Sequence, residues 1–158
     1  MSFSINFEVS MNNPTFSSGD FVHVPASLAA GEDVGTLLHE GVRTTTLDAF
    51  SKTRKHEVHV VDLPSRSISM TFGALQPLQG SGLHRHNYET IIYIISGTGF
   101  SMVGETLVAW TAGDAVYIPV WRWHKHVNTS EDAEVTYIAC ENTPLLQALG
   151  VALREEAS

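Results

Sequence analysis

The 158 residues suffice for one domain of ordinary size and fall short of two. An apolar fraction of 43% with 16% charged residues is that of a globular chain with a core, which excludes disordered, collagen-like and low-complexity classes. Seventeen acidic against nine basic residues give a formal charge of -8, a field that repels nucleic acid and anionic lipid, so neither is expected as a partner.

Along the chain, Phe3, Ile5, Phe7 and Val9 alternate with polar residues, a half-buried strand pattern that Asn12-Asn13-Pro14 breaks. This stretch has neither a basic segment nor an apolar run after it, so no signal peptide is expected. The single cysteine, Cys140, permits no intramolecular disulfide. With no apolar run long enough to span a bilayer, the expected location is the cytoplasm. Thr36–Glu40 and Thr46–Ser51 read as candidate helical turns.

From His56 the pattern changes to short β-rich runs: Glu57–Leu63, Ile68–Leu75, Thr90–Ile95, Gly99–Val103, Thr106–Trp110, Ala115–Ile118 and Glu134–Ala139. Glycines, prolines and Asn128 separate them. Many short strands without helical periodicity predict an all-β antiparallel sandwich or barrel. Thr143–Ala152 then reads as one helix, with Thr143 as N-cap, Pro144 in the first turn and Gly150 as a possible early stop. The expected organisation is an N-terminal extension over 1–55, a β-domain over 56–142, and a C-terminal helix and tail over 143–158.

Four of the eight histidines fall in two pairs with one residue between, His84/His86 and His124/His126. On a strand, residues two apart share a face, so each pair aims two imidazoles at one point, as a first-row metal requires. The segments around them, Gly82-Leu83-His84-Arg85-His86 through Gly97 and Gly113-Asp114 through His124-Lys125-His126-Val127-Asn128, resemble the two cupin motifs. That resemblance implies a double-stranded β-helix, or jelly roll, of two antiparallel sheets, with a divalent metal in its mouth. The motif glycines expected at positions 78 and 121 are Leu78 and Trp121 here. The glutamate expected at position 90 is Thr90, and Glu89 stands one residue early. By strand parity His84, His86 and Thr90 share one face and Glu89 the other, so three histidines, His84, His86 and His124, form the expected ligand set. Glu89 is left as a fourth ligand through a bulge, an acceptor for an imidazole N–H, or a solvated side chain.

The H-R-H segment, the missing in-register acid and the Trp121–Asn128 segment resemble the gentisate 1,2-dioxygenase branch of cupins. The resemblance implies Fe(II), with Zn, Mn or Ni as other occupants of such a site, and O2 and a small chelating hydroxylated aromatic acid as partners. Three neutral imidazoles leave a bound cation its full 2+ charge, which favours an anionic chelator. The alternatives are a redox-silent isomerase, lyase or hydrolase, or a non-catalytic small-molecule-binding module. His126 shares parity with His124 and is a candidate acid/base or substrate contact, or a satisfied histidine near a turn. Arg122 is a candidate carboxylate clamp or a solvated arginine. Trp121 and Tyr93 are candidates for an aromatic-binding cleft or for packing. A homodimer is expected, because the Phe3–Val9 strand can extend a partner's sheet.

Overall fold

The computed structural model describes residues 35–43 and 49–157; the Phe3–Val9 strand lies outside the described residues. A short helix α1 (Ala49–Arg54) leads into ten strands: β1 (Glu57–Val60), β2 (Ser69–Leu75), β3 (His84–His86), β4 (Thr90–Ser96), β5 (Thr98–Val103), β6 (Thr106–Thr111), β7 (Ala115–Ile118), β8 (His124–Asn128), β9 (Val135–Glu141) and β10 (Arg154–Glu156). Helix α2 (Thr143–Ala148) stands between β9 and β10. The strands form two antiparallel five-stranded sheets, ordered β1-β2-β9-β4-β7 and β10-β3-β8-β5-β6, and the fold is the all-β jelly roll expected.

Period-two alternation builds the interior. In β4 the even residues Thr90, Ile92 and Ile94 are buried and the odd residues Ile91, Tyr93 and Ile95 are exposed. Ile92, Ile94, Leu75, Val116, Ile118, Val135, Tyr137 and Ala139 of the first sheet meet Trp110 of the second in one cluster. Burying side chains of this size stabilises by about 1.5–3 kcal/mol each. Two glycines admit bulky neighbours. A Cβ at Gly73 would strike the Tyr137 ring, and one at Gly99 would strike the Val127 carbonyl and the Trp110 ring. Asn128, fully buried at the end of β8, donates to the carbonyls of Leu75 and Ala133 and accepts from Ser130 N–H.

Several expectations are corrected. Of the expected 46–51 turn, residues 49–51 lie in helix α1 and 46–48 lie outside the described residues, while 36–40 is irregular. Helix α2 stops at Ala148, before Gly150 at φ 71. Its N-cap is Asn142, not Thr143. The Asn142 side chain makes no cap bond and instead accepts from the Glu89 backbone N–H. The tail is not a mere tail, because β10 pairs with β3 and sets Arg154 beside His86 and Glu156 beside His84.

Candidate metal centre

The site is built on two adjacent strands of the second sheet. His84 and His86 alternate around Arg85 on β3, and β8 sets His124 directly across from His84. All three side chains are buried, His86 and His124 to 1% exposure. One nitrogen from each lies within 4.8 Å of the others, and among the described residues this is the one group of three metal-competent side chains so placed.

The three rings share a second feature. Each Nδ1 lies 2.8 Å from a backbone carbonyl: His84 on Gly82, His86 on Tyr88 and His124 on Arg122. A carbonyl only accepts, so every Nδ1 carries the proton and every Nε2 keeps its lone pair for a cation. Burial lowers all three pKa values, His84 to about 3 and His86 to about 4, with neighbouring imidazoles adding repulsion for these two. Neutral, tautomerically fixed imidazoles suit a first-row divalent metal, and the donor set fits one. Tyr88 stacks on His86 with ring centroids 3.9 Å apart and planes 2° from parallel, which holds the ring's orientation.

The surrounding turns hold the strands. Trp121 adopts φ 61, and its N–H donates to the His86 carbonyl at 2.6 Å. Arg85, on the opposite face from the histidines, lies over the Trp121 and Trp123 rings and pairs with Glu155 of β10.

The other sequence candidates separate. His126 faces the same cavity and is buried, with Nδ1 2.8 Å from Ser101 Oγ. That hydroxyl also accepts from Trp110 Nε1, and its proton and remaining lone pair let it meet either tautomer of the His126 ring. Burial holds His126 well below the ordinary histidine range. Glu89 is exposed and accepts from Tyr117 O–H at 2.7 Å, so no bulge turns it inward. Tyr93 and Trp121 are 50% and 42% exposed, and Arg122 is exposed too. None of these three lines the histidine cavity. They differ from the expectation because a shared parity does not say which face turns inward, and because the left-handed turn at Trp121 breaks the phase before β8.

Residues that the sequence left unassigned complete the walls. Tyr137 is deeply buried, and its O–H lies 2.6 Å from His56 Nε2, while His56 Nδ1 faces the Arg54 carbonyl. His56 Nδ1 therefore carries the proton, and Tyr137 donates to Nε2. Burial pushes the tyrosine up and the histidine down. Glu141, at the end of β9, lines the cavity together with Arg54 and Arg154. Extending the predicted Glu134–Ala139 strand by two residues would have revealed Glu141, since it shares parity with Tyr137. No local pattern marked Arg54 or Arg154. The histidine cavity is about 60 Å³ and adjoins a second chamber of about 290 Å³. Phe50, Arg54, Thr71, Glu141 and Arg154 belong to the walls of both.

The cupin domain model, Cupin_2, matches residues 72–140. The chain is 37% identical over 83 residues to 5-aminosalicylate 1,2-dioxygenase of Comamonas sp., covering 52% of this chain and 21% of that enzyme. It is 29% identical over 72 residues to 1-hydroxy-2-naphthoate 1,2-dioxygenase of Nocardioides sp. strain KP7, covering 46% of this chain and 19% of that enzyme. The crystal structure of salicylate 1,2-dioxygenase from Pseudaminobacter salicylatoxidans matches with a TM-score of 0.62 at 21% identity, over 66% of this chain and 32% of that one. The chain thus spans about a fifth of the length of these curated relatives and about a third of that solved structure. At that identity the structural likeness shows the fold. Both motifs, the two-sheet architecture and these matches agree: residues 72–140 match the cupin domain model, the fold is that of the salicylate 1,2-dioxygenase structure, and part of the chain is similar in sequence to part of 5-aminosalicylate 1,2-dioxygenase.

Proposed function

We propose that this chain is a metal-dependent dioxygenase domain acting on a hydroxylated aromatic acid, with Fe(II) as its metal. The observation that carries the reading is the inward triad of His84, His86 and His124, each imidazole locked by a backbone carbonyl with its Nε2 unprotonated. The sequence relatives named for 5-aminosalicylate and 1-hydroxy-2-naphthoate support the substrate class. A bound Fe(II) supplies the one-electron chemistry with O2 that side chains lack, and presents a cationic centre to a chelating anion.

The chain's own residues do the rest. The core cluster and the buried walls keep bulk water from the reacting centre. Arg54 and Arg154 place positive charge on the wall that an anion passes. His126 can hydrogen-bond a substrate oxygen through Nε2, because its ring is fixed by Ser101. A homodimer is part of the proposal. Ile91, Tyr93, Ile95 and Tyr117 expose apolar surface on the outer face of the first sheet, which suits a second copy. Light scattering that gives a monomer mass would overturn that part.

The activity is tested by reconstituting the protein with Fe(II) without oxygen, then following O2 uptake with salicylate, gentisate, 5-aminosalicylate, catechol and aliphatic hydroxy acids. Uptake is expected with the aromatic acids bearing adjacent hydroxyl and carboxylate groups, and none is expected from Zn-loaded protein. Turnover without O2 on Zn or Mn would replace the oxygenase reading with a lyase or isomerase one. Unchanged ligand that merely binds would make the domain a binding module.

A further inference from the structure

Tyr137, Ala139 and Glu141 share one parity on β9, and the first two are buried in the core, so Glu141 projects inward at the end of the strand. There it is half-buried and lines the same cavity as His84, His86 and His124. One hydroxyl holds each of its oxygens, Thr90 Oγ1 donating to Oε1 at 3.3 Å and Thr143 Oγ1 to Oε2 at 3.1 Å. Thr90 stands directly across from Glu141 in the β4–β9 register and is 3% exposed. It holds the position expected to carry an acid, so the carboxylate missing from β4 is matched by one on the facing strand. Arg54 and Arg154, the other charged residues of this wall, both turn to Glu156 Oε1 instead, at 3.4 and 2.8 Å. Among the described residues Glu141 makes no ion pair. A carboxylate has about four acceptor sites, so about half remain unspent where an unmatched charge is costly. The three imidazoles that share the cavity offer lone pairs and no positive charge of their own, and a bound cation would supply that charge. Glu141 stands outside the group whose ligand atoms all lie within 4.8 Å of one another, so it is not a fourth ligand. At about 60 Å³ the cavity has room for a cation and about three waters, at about 10–15 Å³ each. Three nitrogens on an octahedral ion leave about three positions for such waters.

We propose that Glu141 is the anionic partner of the metal centre, accepting a hydrogen bond from water bound to the cation that His84, His86 and His124 hold. Its charge offsets one of the two positive charges that neutral imidazoles leave on the ion. Thr90 and Thr143 fix the carboxylate by donating once to each oxygen, and the remaining lone pairs are the ones that meet the water. Glu141 is in this sense a positioning residue, acting on the cation through water. The role needs the metal and not an aromatic acid, so it goes beyond the substrate reading above.

The test compares wild-type protein with Glu141→Gln, which keeps the shape and the threonine contacts and removes the charge. Zn(II) affinity is read by competition with a chelating dye, and the metal-free forms are unfolded in urea at pH 7.5. Glu141→Gln should bind Zn(II) about 10- to 100-fold more weakly, the usual worth of an outer partner. Its metal-free form should unfold at the same or a higher urea concentration, because a half-buried charge without a partner has been removed. A carboxylate needed only for the fold would lower the urea midpoint along with the affinity. A loss of less than about tenfold in Zn(II) affinity, or a lower midpoint for the metal-free variant, overturns the role given to Glu141 and leaves the histidine triad and the aromatic-acid reading standing. Wild-type protein that takes up no divalent metal overturns the metal centre itself, and this inference with it.

Discussion

Each inward imidazole owes its tautomer to one carbonyl, so the backbone leaves all three Nε2 atoms free to accept a cation. Three ligands leave no redundancy. His84→Ala, His86→Ala and His124→Ala should each weaken metal binding beyond the roughly 10- to 100-fold that losing an outer partner costs. Glu89, turned outward to Tyr117, should behave otherwise, and Glu89→Gln should lose less than about tenfold. Metal-to-protein ratios after dialysis against a graded chelator decide both points. Near-full metal in His84→Ala would remove it from the ligand set, and metal loss in Glu89→Gln would bring the carboxylate in. His126→Gln should keep its metal and lose about 10- to 100-fold in kcat, the worth of a hydrogen bond to a charged substrate oxygen. An unchanged kcat would leave His126 a packing residue.

At the scale of the element, the turns show how this chain departs from the glycines of the cupin motifs. Leu78 and Trp121 replace them, yet both keep a left-handed backbone, at φ 59 and φ 61. Such a conformation costs a non-glycine residue about 1–3 kcal/mol. Trp121 recovers part of this through Arg85, which lies 4.7 Å from its ring centroid. Leu78 is 65% exposed and recovers little. Leu78→Gly should therefore leave stability unchanged or raise it by up to about 1 kcal/mol, the relieved strain being partly offset by greater freedom in the unfolded chain. Leu78→Val should lower stability by about 1 kcal/mol or more, because a β-branched residue fits that region poorly. Urea midpoints order the two variants, and a valine variant more stable than the glycine one would refute the argument.

The whole molecule carries a pH signature set by its buried histidines. Burial lowers the pKa values of His56, His84, His86, His124 and His126. In the window between the unfolded value near 6.5 and these lower folded values, the unfolded chain takes up protons that the folded one refuses. Their stabilising contribution is complete above about pH 6.5 and is lost as pH falls toward the folded values. With folded values of about 3 and about 4, His84 and His86 should each cost the metal-free protein on the order of 2 kcal/mol at pH 5. Glu141 and Glu156, both raised by burial, work in the opposite direction. Urea unfolding of metal-free protein at pH 7.5, 6 and 5 should show falling midpoints, and a flat series would contradict the burial of these rings. Among the described residues no helix is long and apolar enough to cross a membrane.

The sequence by itself determined the strand-rich fold and the two histidine pairs, because both follow from a period of two that is visible within a few residues, and the resemblance to the cupin motifs narrowed the pairs to three histidines. Parity alone separated Thr90 from Glu89, and the structure places them on opposite faces, Thr90 buried and Glu89 exposed. Parity does not state which face turns inward. Ile92 and Ile94 take the inner face of β4, so Tyr93 goes out, and the turn at Trp121 leaves Trp121 and Arg122 outside the cavity. Only the tertiary structure decided what stands around the histidines. Strand β9 brings Tyr137 and Glu141 beside residues some fifty positions earlier, across the Thr90–Glu141 register, and the late strand β10 sets Arg154 beside His86. Tyr137 then finds a partner in His56, eighty-one residues away. Such neighbours come from sheet order and long-range pairing, which balance the whole core against chain entropy and leave no mark in local periodicity.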